Sequence, residues 1–203
     1  MKKNIRIATK NDSVQILEIY TPFITDTTIT FDCKVPTIDA IENKIINVGE
    51  KYPWLVCELE EKVIGYAYAY EFADREAYNW SVTTSIYVKP EFHRNKIGKA
   101  LYFSLLEILK LQGYCNVYAR ITDSNVKSEK FHERFGFTQI GIHEKAGYKF
   151  GKWLDVKWYG LNIIEHPQFP KKPKKIQEIH NTLEFHRILQ EGEKMIYQKE
   201  KDS

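Results

Sequence analysis

The stretch SVTTSIYVKPEFHRNKIGKALYFSLLEILKLQG, residues 81–113, constrains the chain more than any other. Ser81 to Val88 alternates with period two, with Val82, Thr84, Ile86 and Val88 on one side and Ser81, Thr83, Ser85 and Tyr87 on the other, as in a strand with one polar face. Lys89-Pro90 closes the strand, HRNKIG follows, and Ile97, Ala100, Leu101, Leu105 and Ile108 then recur at helical spacing up to Gly113, a helix stop. A helix entered straight from a loop exposes its first N–H groups and the positive end of its dipole, which suits a phosphate. His93, Arg94, Lys96 and Lys99 add side-chain charge. Taken alone, such a basic loop is better explained as a solvated strand-to-helix turn.

The flanking segments continue the alternation of strands and helices. Ile5 to Ala8 reads as a strand, and Asn11-Asp12-Ser13 as an N-cap for a helix carrying Val14, Leu17 and Tyr20. Thr37 and Asp39 open a second helix with Ile38, Ile41, Ile45 and Val48 in a row, stopped at Gly49. Trp54–Glu58 and Lys62–Glu71 form a hairpin in which Ile64, Tyr66, Tyr68 and Tyr70 share a face. The other face, Gly65, Ala67 and Ala69, is small enough for a helix to lie close. Cys115 to Ile121 is a fifth strand, Ser124 or Asn125 caps a short helix carrying Phe131 and Phe135 and ended by Gly136, and further strands cover Thr138–His143 and Trp153–Leu161. From Glu165 the run EHPQFPKKPKK changes the character, and Ile176 to Gln198 regains a weak apolar stripe through Ile176, Ile179 and Leu183. The expected organisation is a domain over residues 1–164 and, over 165–203, a Lys/Pro-rich linker with a helical extension tied to that domain.

Composition narrows the function classes. With 203 residues, 43% hydrophobic and 28% charged, the chain is a folded globular protein and not a disordered or collagen-like one. Thirty Lys and Arg against 27 Asp and Glu leave a net charge of +3, too slight to imply nucleic acid or a membrane as partner. Cys33, Cys57 and Cys115 are far apart and form no CxxC, which argues against a disulfide framework or a zinc site and points to a reducing cytoplasm. Asn4, Arg6, Lys10, Asn11 and Asp12 interrupt any signal-peptide core, and no later run is apolar enough to span a bilayer. The His and Asp spacing suggests no metal.

The loop HRNKIG after SIYVKP resembles the acetyl-coenzyme A pyrophosphate loop, Q/R-x-x-G-x-G/A, of the GNAT acetyltransferase superfamily. The stretches LEIYTPFITDTTITFD, REAYNW, LKLQGY, FHERFGF and GYKFGKWLDVKW sharpen the likeness to phosphinothricin acetyltransferases, in matching order over roughly residues 4–164. The resemblance implies an α/β fold with a mixed, mostly antiparallel sheet flanked by helices, whose fourth and fifth strands splay to admit pantetheine. It implies main-chain contacts to pantetheine from Ser85, Ile86, Tyr87 and Val88, and to the pyrophosphate from His93, Arg94, Asn95, Lys96, Ile97 and Gly98. Asn125 matches a position that helps hold the cofactor or the attacking group, and reads equally as an N-cap. The implied reaction is attack of a neutral amine on the thioester of acetyl-coenzyme A, with a base taking the proton and backbone N–H groups facing the oxyanion. His132 in FHERFGF matches a histidine assigned to catalysis, and Phe31, Arg75, Tyr78 and Thr83 match positions near the acceptor. The acceptor expected from the resemblance is a small amino-acid-like amine, similar to phosphinothricin, methionine sulfone or methionine sulfoximine, and the assembly a homodimer.

The chain departs from the family pattern at several positions. His93 stands where Gln or Arg begins the loop, and Lys96 where the first Gly is expected; a Cβ resists positive φ, so Lys96 either turns αR-like or strains the loop. Thr83 occupies the position of a glutamate, and a hydroxyl is no base at neutral pH. Leu154 replaces a common His, while Trp153 and Asp155 remain. These departures leave a second reading open: a GNAT-fold coenzyme A-binding or interaction protein with weak or no transfer.

Overall fold

The structure is a computed structural model that describes residues 2–93, 95–123 and 125–196. In chain order its elements are β1 (Lys3–Ile7), α1 (Ser13–Thr25), α2 (Ile38–Gly49), β2 (Trp54–Leu59), β3 (Lys62–Glu71), β4 (Ser81–Val88), α3 (Ile97–Gln112), β5 (Asn116–Thr122), α4 (Val126–Glu133), β6 (Thr138–Lys149), β7 (Lys152–Asn162), α5 (Ile176–Ile179) and α6 (Leu183–Lys194). The seven strands form one sheet in the order β1-β2-β3-β4-β5-β7-β6. Every neighbouring pair is antiparallel except β4 and β5, which run parallel.

The two faces of the sheet bury different side chains. On one, Leu55, Ala67, Ala69, Val82, Val117, Ala119 and Ile121 pack against Leu101, Leu105 and Ile108 of α3. On the other, Val56, Val63, Tyr66 and Tyr68 pack against Ile16 and Ile19 of α1 and Ile41 and Ile45 of α2. Small residues on β3 let α3 come close: a Cβ on Gly65 would stand 3.4 Å from a methyl of Ile97 on α3, and 3.1 Å from the Tyr87 carbonyl and a Val88 methyl on β4. Thr37 caps α2 as expected, its hydroxyl accepting from Ala40 N at 3.2 Å.

Three local expectations are corrected. Ile64 packs on the α3 side and not with Tyr66, because the β2–β3 register shifts between Cys57 and Glu58 and the bulge turns Ile64 over. Asp12 does not cap α1 through its side chain; its carboxylate is held by Arg6 at 2.7 and 2.8 Å and by Thr9 N at 2.7 Å. The apolar stripe of the extension does not run through Leu183, which is 90% exposed. The chain turns between α5 and α6, so the helical phase restarts, and Phe185, Ile188 and Leu189 are the buried positions.

The extension packs on the body. Ile176, Ile179, Phe185, Ile188, Leu189 and Ile196 belong to the same core as α3. Ile5 N donates to Glu193 at 2.9 Å, Lys3 Nζ to the Ile196 carbonyl at 3.0 Å, and Gln112 Nε2 to the Lys174 carbonyl at 2.7 Å. α6 crosses α3 at Gly192, where a Cβ would run into Ser104 Oγ and lie 3.2 Å from the Ala100 carbonyl.

Candidate active site

The parallel pairing of β4 with β5 covers only Ser81↔Asn116, Val82↔Val117 and Thr83↔Tyr118. Thr84 sits at the point of divergence, its hydroxyl 2.8 Å from the buried Tyr102 hydroxyl and donating to the Tyr118 carbonyl at 3.3 Å. Past it, Ser85 to Val88 pair only with β3, and Ala119 to Thr122 only with β7. A slot opens between the strands, and alternate backbone groups of Ser85–Val88 face it without a strand partner.

The loop after β4 leads to the mouth of the slot. Pro90–Phe92 forms a short 3-10 turn, and His93 Nε2 lies 3.2 Å from the Val88 carbonyl. Lys96 is left-handed, at φ 59° and ψ 14°, so the strained alternative is the one adopted. Its carbonyl accepts from Ala100 N at 2.9 Å, which leaves the N–H groups of Ile97, Gly98 and Lys99 without an acceptor in the helix. Such a helix start fits a diphosphate, and Gly98 adds no side chain to the approach. Arg94 lies outside the described residues. Asn125 acts as the N-cap of α4, its Oδ1 accepting from Ser128 N at 3.2 Å.

The left-handed Lys96 gives a direct test. A non-glycine residue there costs about 1–2 kcal/mol, while glycine adds about 0.4–1 kcal/mol of unfolded-state entropy. Lys96→Gly is therefore expected to raise stability by about 0.5–1 kcal/mol, read from a denaturant midpoint; a lower midpoint would show that the lysine side chain outweighs the strain.

His132 is buried, 4% exposed, among the rings of Tyr102, Phe131 and Phe137 at 5.2–5.4 Å. Its Nδ1 lies 2.8 Å from the Ser128 carbonyl, and burial pushes its pKa down to about 4. This aromatic group fixes α4 to α3 behind the slot.

On the α1/α2 face an open cavity of about 750 Å³ meets the slot. The register explains its walls: pairing of Thr83 with Tyr118 puts Ser85 and Tyr87 of β4 on the same face as Arg120 and Thr122 of β5, and Arg120 pairs with Trp158 of β7. Tyrosine hydroxyls hold charged groups along it. Tyr20 donates to Asp32 at 2.7 Å, Lys44 Nζ donates to Tyr68 at 2.9 Å, and Arg120 Nη2 donates to Tyr70 at 3.0 Å. Burial pushes the Tyr20 and Tyr87 phenols well above their usual pKa, so both stay protonated.

The segment Ile29–Asp32 covers one side of the cavity. It is anchored by Lys149, whose Nζ donates to the Thr30 carbonyl at 2.7 Å, and by Thr122, which donates to the Thr28 carbonyl at 2.8 Å. Burial lowers the Lys149 pKa. The Phe31 ring lies on Gly147, where no Cβ would fit.

Of the residues expected near the acceptor, Phe31 lines the cavity. Thr83 is buried, 1% exposed, and is not part of the lining. Arg75 caps and Tyr78 ends an exposed 3-10 turn, and neither lines the cavity; the Tyr78 ring is edge-on to Phe72 at 5.4 Å. His132 does not reach the cavity either. Asp32, Lys44, Tyr70, Arg120 and Trp158 were not anticipated as lining. For Arg120 the signal was present in VYARIT, a single charge in step with Tyr118 on an otherwise uncharged strand. Among the described residues no helix is long and apolar enough to cross a membrane.

The strand order, the parallel pair that parts after Thr83 and the helix start at Ile97 define an acyltransferase architecture, and the model of the acetyltransferase (GNAT) domain matches residues 5–158. The chain belongs to this family and is an N-acetyltransferase of GNAT type. It is 34% identical to phosphinothricin N-acetyltransferase of Streptomyces viridochromogenes, across 86% of this chain and 95% of that one. It is 30% identical to the L-methionine sulfoximine/L-methionine sulfone acetyltransferase of Salmonella typhimurium, across 80% of this chain and 96% of that one. A crystal structure of a phosphinothricin acetyltransferase from Sinorhizobium meliloti in complex with AcCoA superposes with a TM-score of 0.78 at 31% identity, covering 86% of this chain and 94% of that one.

Proposed function

We propose that the chain transfers the acetyl group of acetyl-coenzyme A to the primary amine of a small amino-acid-like acceptor of the phosphinothricin or methionine sulfoximine kind. The supporting observation is the meeting of slot and cavity at Ser85 and Tyr87, which line the cavity and lie on the stretch of β4 that has lost its β5 neighbour. In this reading the main chain of Ser85–Val88 holds the pantetheine arm, and the loop from His93 with the free N–H groups of Ile97–Lys99 holds the diphosphate. Acetyl-coenzyme A supplies an activated thioester. The chain orients the two reactants and limits water: Phe31 and its loop cover the acceptor side, and the amine arrives at the mouth of the slot.

His132 enters this reading as a positioning residue. Its Nδ1–H is spent on the Ser128 carbonyl, and a pKa of about 4 makes a weak proton acceptor. The proton of the attacking amine passes to solvent in the open cavity, and coenzyme A departs as the thiolate when the carbon–sulfur bond breaks.

The test is acetyl-coenzyme A-dependent thiol release by the full chain against phosphinothricin, methionine sulfone, methionine sulfoximine and simple alkylamines. Release with at least one amino-acid-like amine, in preference to the alkylamines, is expected. Tight cofactor binding without release from any amine would overturn transfer in favour of a binding role.

A further inference from the structure

We infer that Arg120 determines which acceptor the cavity takes, its guanidinium holding an anionic group at the end of the acceptor remote from the amine; this rests on the acetyl-transfer reading of the same site. On β5, Val117, Ala119 and Ile121 point into the α3 core, so Tyr118, Arg120 and Thr122 face the cavity side. The register sets Arg120 two residues past the last paired position, as Ser85 is on β4, so the cation and the slot mouth flank each other. Arg120 is the one exposed residue of β5, whose others are buried or half-buried.

The guanidinium is already oriented. Nη2 donates to the Tyr70 hydroxyl at 3.0 Å, and the group lies 5.9 Å from the Tyr70 ring centroid and 5.4 Å from that of Trp158. Two aromatic faces hold a flat cation without neutralising it. Among the described residues no carboxylate forms an ion pair with it. The acids of the cavity are Asp32, bonded to Tyr20, and Glu71. Arg120 retains N–H donors for a two-point grip on a carboxylate, phosphinate or similar oxyanion. Lys44, the other cation of the lining with a fixed partner, is a point charge over the Tyr68 ring at 4.8 Å and cannot make that planar contact.

The experiment separates this assignment from the transfer reading by using a probe that has no amine. Calorimetric titration of the full chain at low ionic strength compares succinate with succinamide, for the wild type, Arg120→Ala, Arg120→Lys and, as a control for charge loss elsewhere, Arg187→Ala on α6. Succinate is expected to bind at least about tenfold more tightly than succinamide, and Arg120→Ala to weaken succinate by about 10- to 100-fold. Arg120→Lys should recover only part of this, and Arg187→Ala should match the wild type. Equal succinate affinity in the wild type and Arg120→Ala, no preference over succinamide, or no succinate binding would overturn the assignment. In turnover, Arg120→Ala should raise KM for an acid-bearing amine by a similar factor with kcat nearly kept, and leave its carboxamide unaffected. Arg120-dependent succinate binding in a protein that acetylates no amine would sink the transfer reading and leave the anion site standing.

Discussion

A chain ended at Ile164 is expected to lose its cooperative fold. Ile176, Ile179, Phe185, Ile188, Leu189 and Ile196 are each at most 8% exposed and pack into the α3 core. Burial of one such side chain stabilises by about 1.5–3 kcal/mol, whereas a whole domain is stable by about 5–15 kcal/mol. The entropy of ordering the extension offsets part of that gain. Its removal, however, also uncovers the outer side of α3, strips Ile5 N of the Glu193 carboxylate and takes from the Gln112 amide the Lys174 carbonyl, leaving it only the Lys51 carbonyl. The truncated protein should give no sharp thermal transition and should bind a hydrophobic dye. A transition within about 5 °C of the full chain would show that residues 1–164 stand alone. A milder probe is Gly192→Val, which forces α6 off Ser104 and the Ala100 carbonyl and should cost about 1–3 kcal/mol.

The second large effect is a loss of stability in acid through His132. Burial lowers its pKa from 6.5 to about 4, so between those values the unfolded chain binds a proton that the folded chain refuses. The contribution is fully present above pH 6.5, shrinks as pH falls, and at pH 4.5 is reduced by about 2–3 kcal/mol. His132→Gln removes the titrating group. Whatever the substitution costs at pH 7, its further loss between pH 7 and 4.5 should be smaller than that of the wild type by about 2–3 kcal/mol, measured by denaturant unfolding at both values. Identical losses would mean that the ring is protonated in the native protein. The pH profile of kcat should also be unchanged in His132→Gln. A kinetic pKa present in the wild type and missing from the variant would make the imidazole a proton acceptor in the reaction.

Regular elements were legible where the signal is local. The alternation in Ser81–Val88, the apolar spacing of Ile97–Gln112 with Gly113 in the left-handed region at φ 96°, and the Thr37 cap all appear where the residues put them. Phase failed where the backbone changes register. One extra residue at the β3 bulge reversed Ile64, and the turn before Leu183 moved the buried face of the extension. Which side chains stand at the cavity is hidden from the sequence for a different reason. Arg75 and Tyr78 lie in a plausible motif, but nothing local says whether an exposed turn reaches a cavity. His132 carries chemistry in isolation, and only the fold shows it buried among rings contributed by α3, α4 and Phe137.

The amino-acid order alone determined the alternating strands and helices, the loop that opens α3 and the family to which they belong, because side-chain period, helix hydrogen bonding and the order of motifs are set by residues near one another in sequence. Tertiary structure decided where β4 and β5 part, which faces meet across that gap, and that Arg120 rather than Arg75 stands at the cavity. Those outcomes depend on the pairing of strands distant in the chain, where a shift of one residue carries a side chain to the other face.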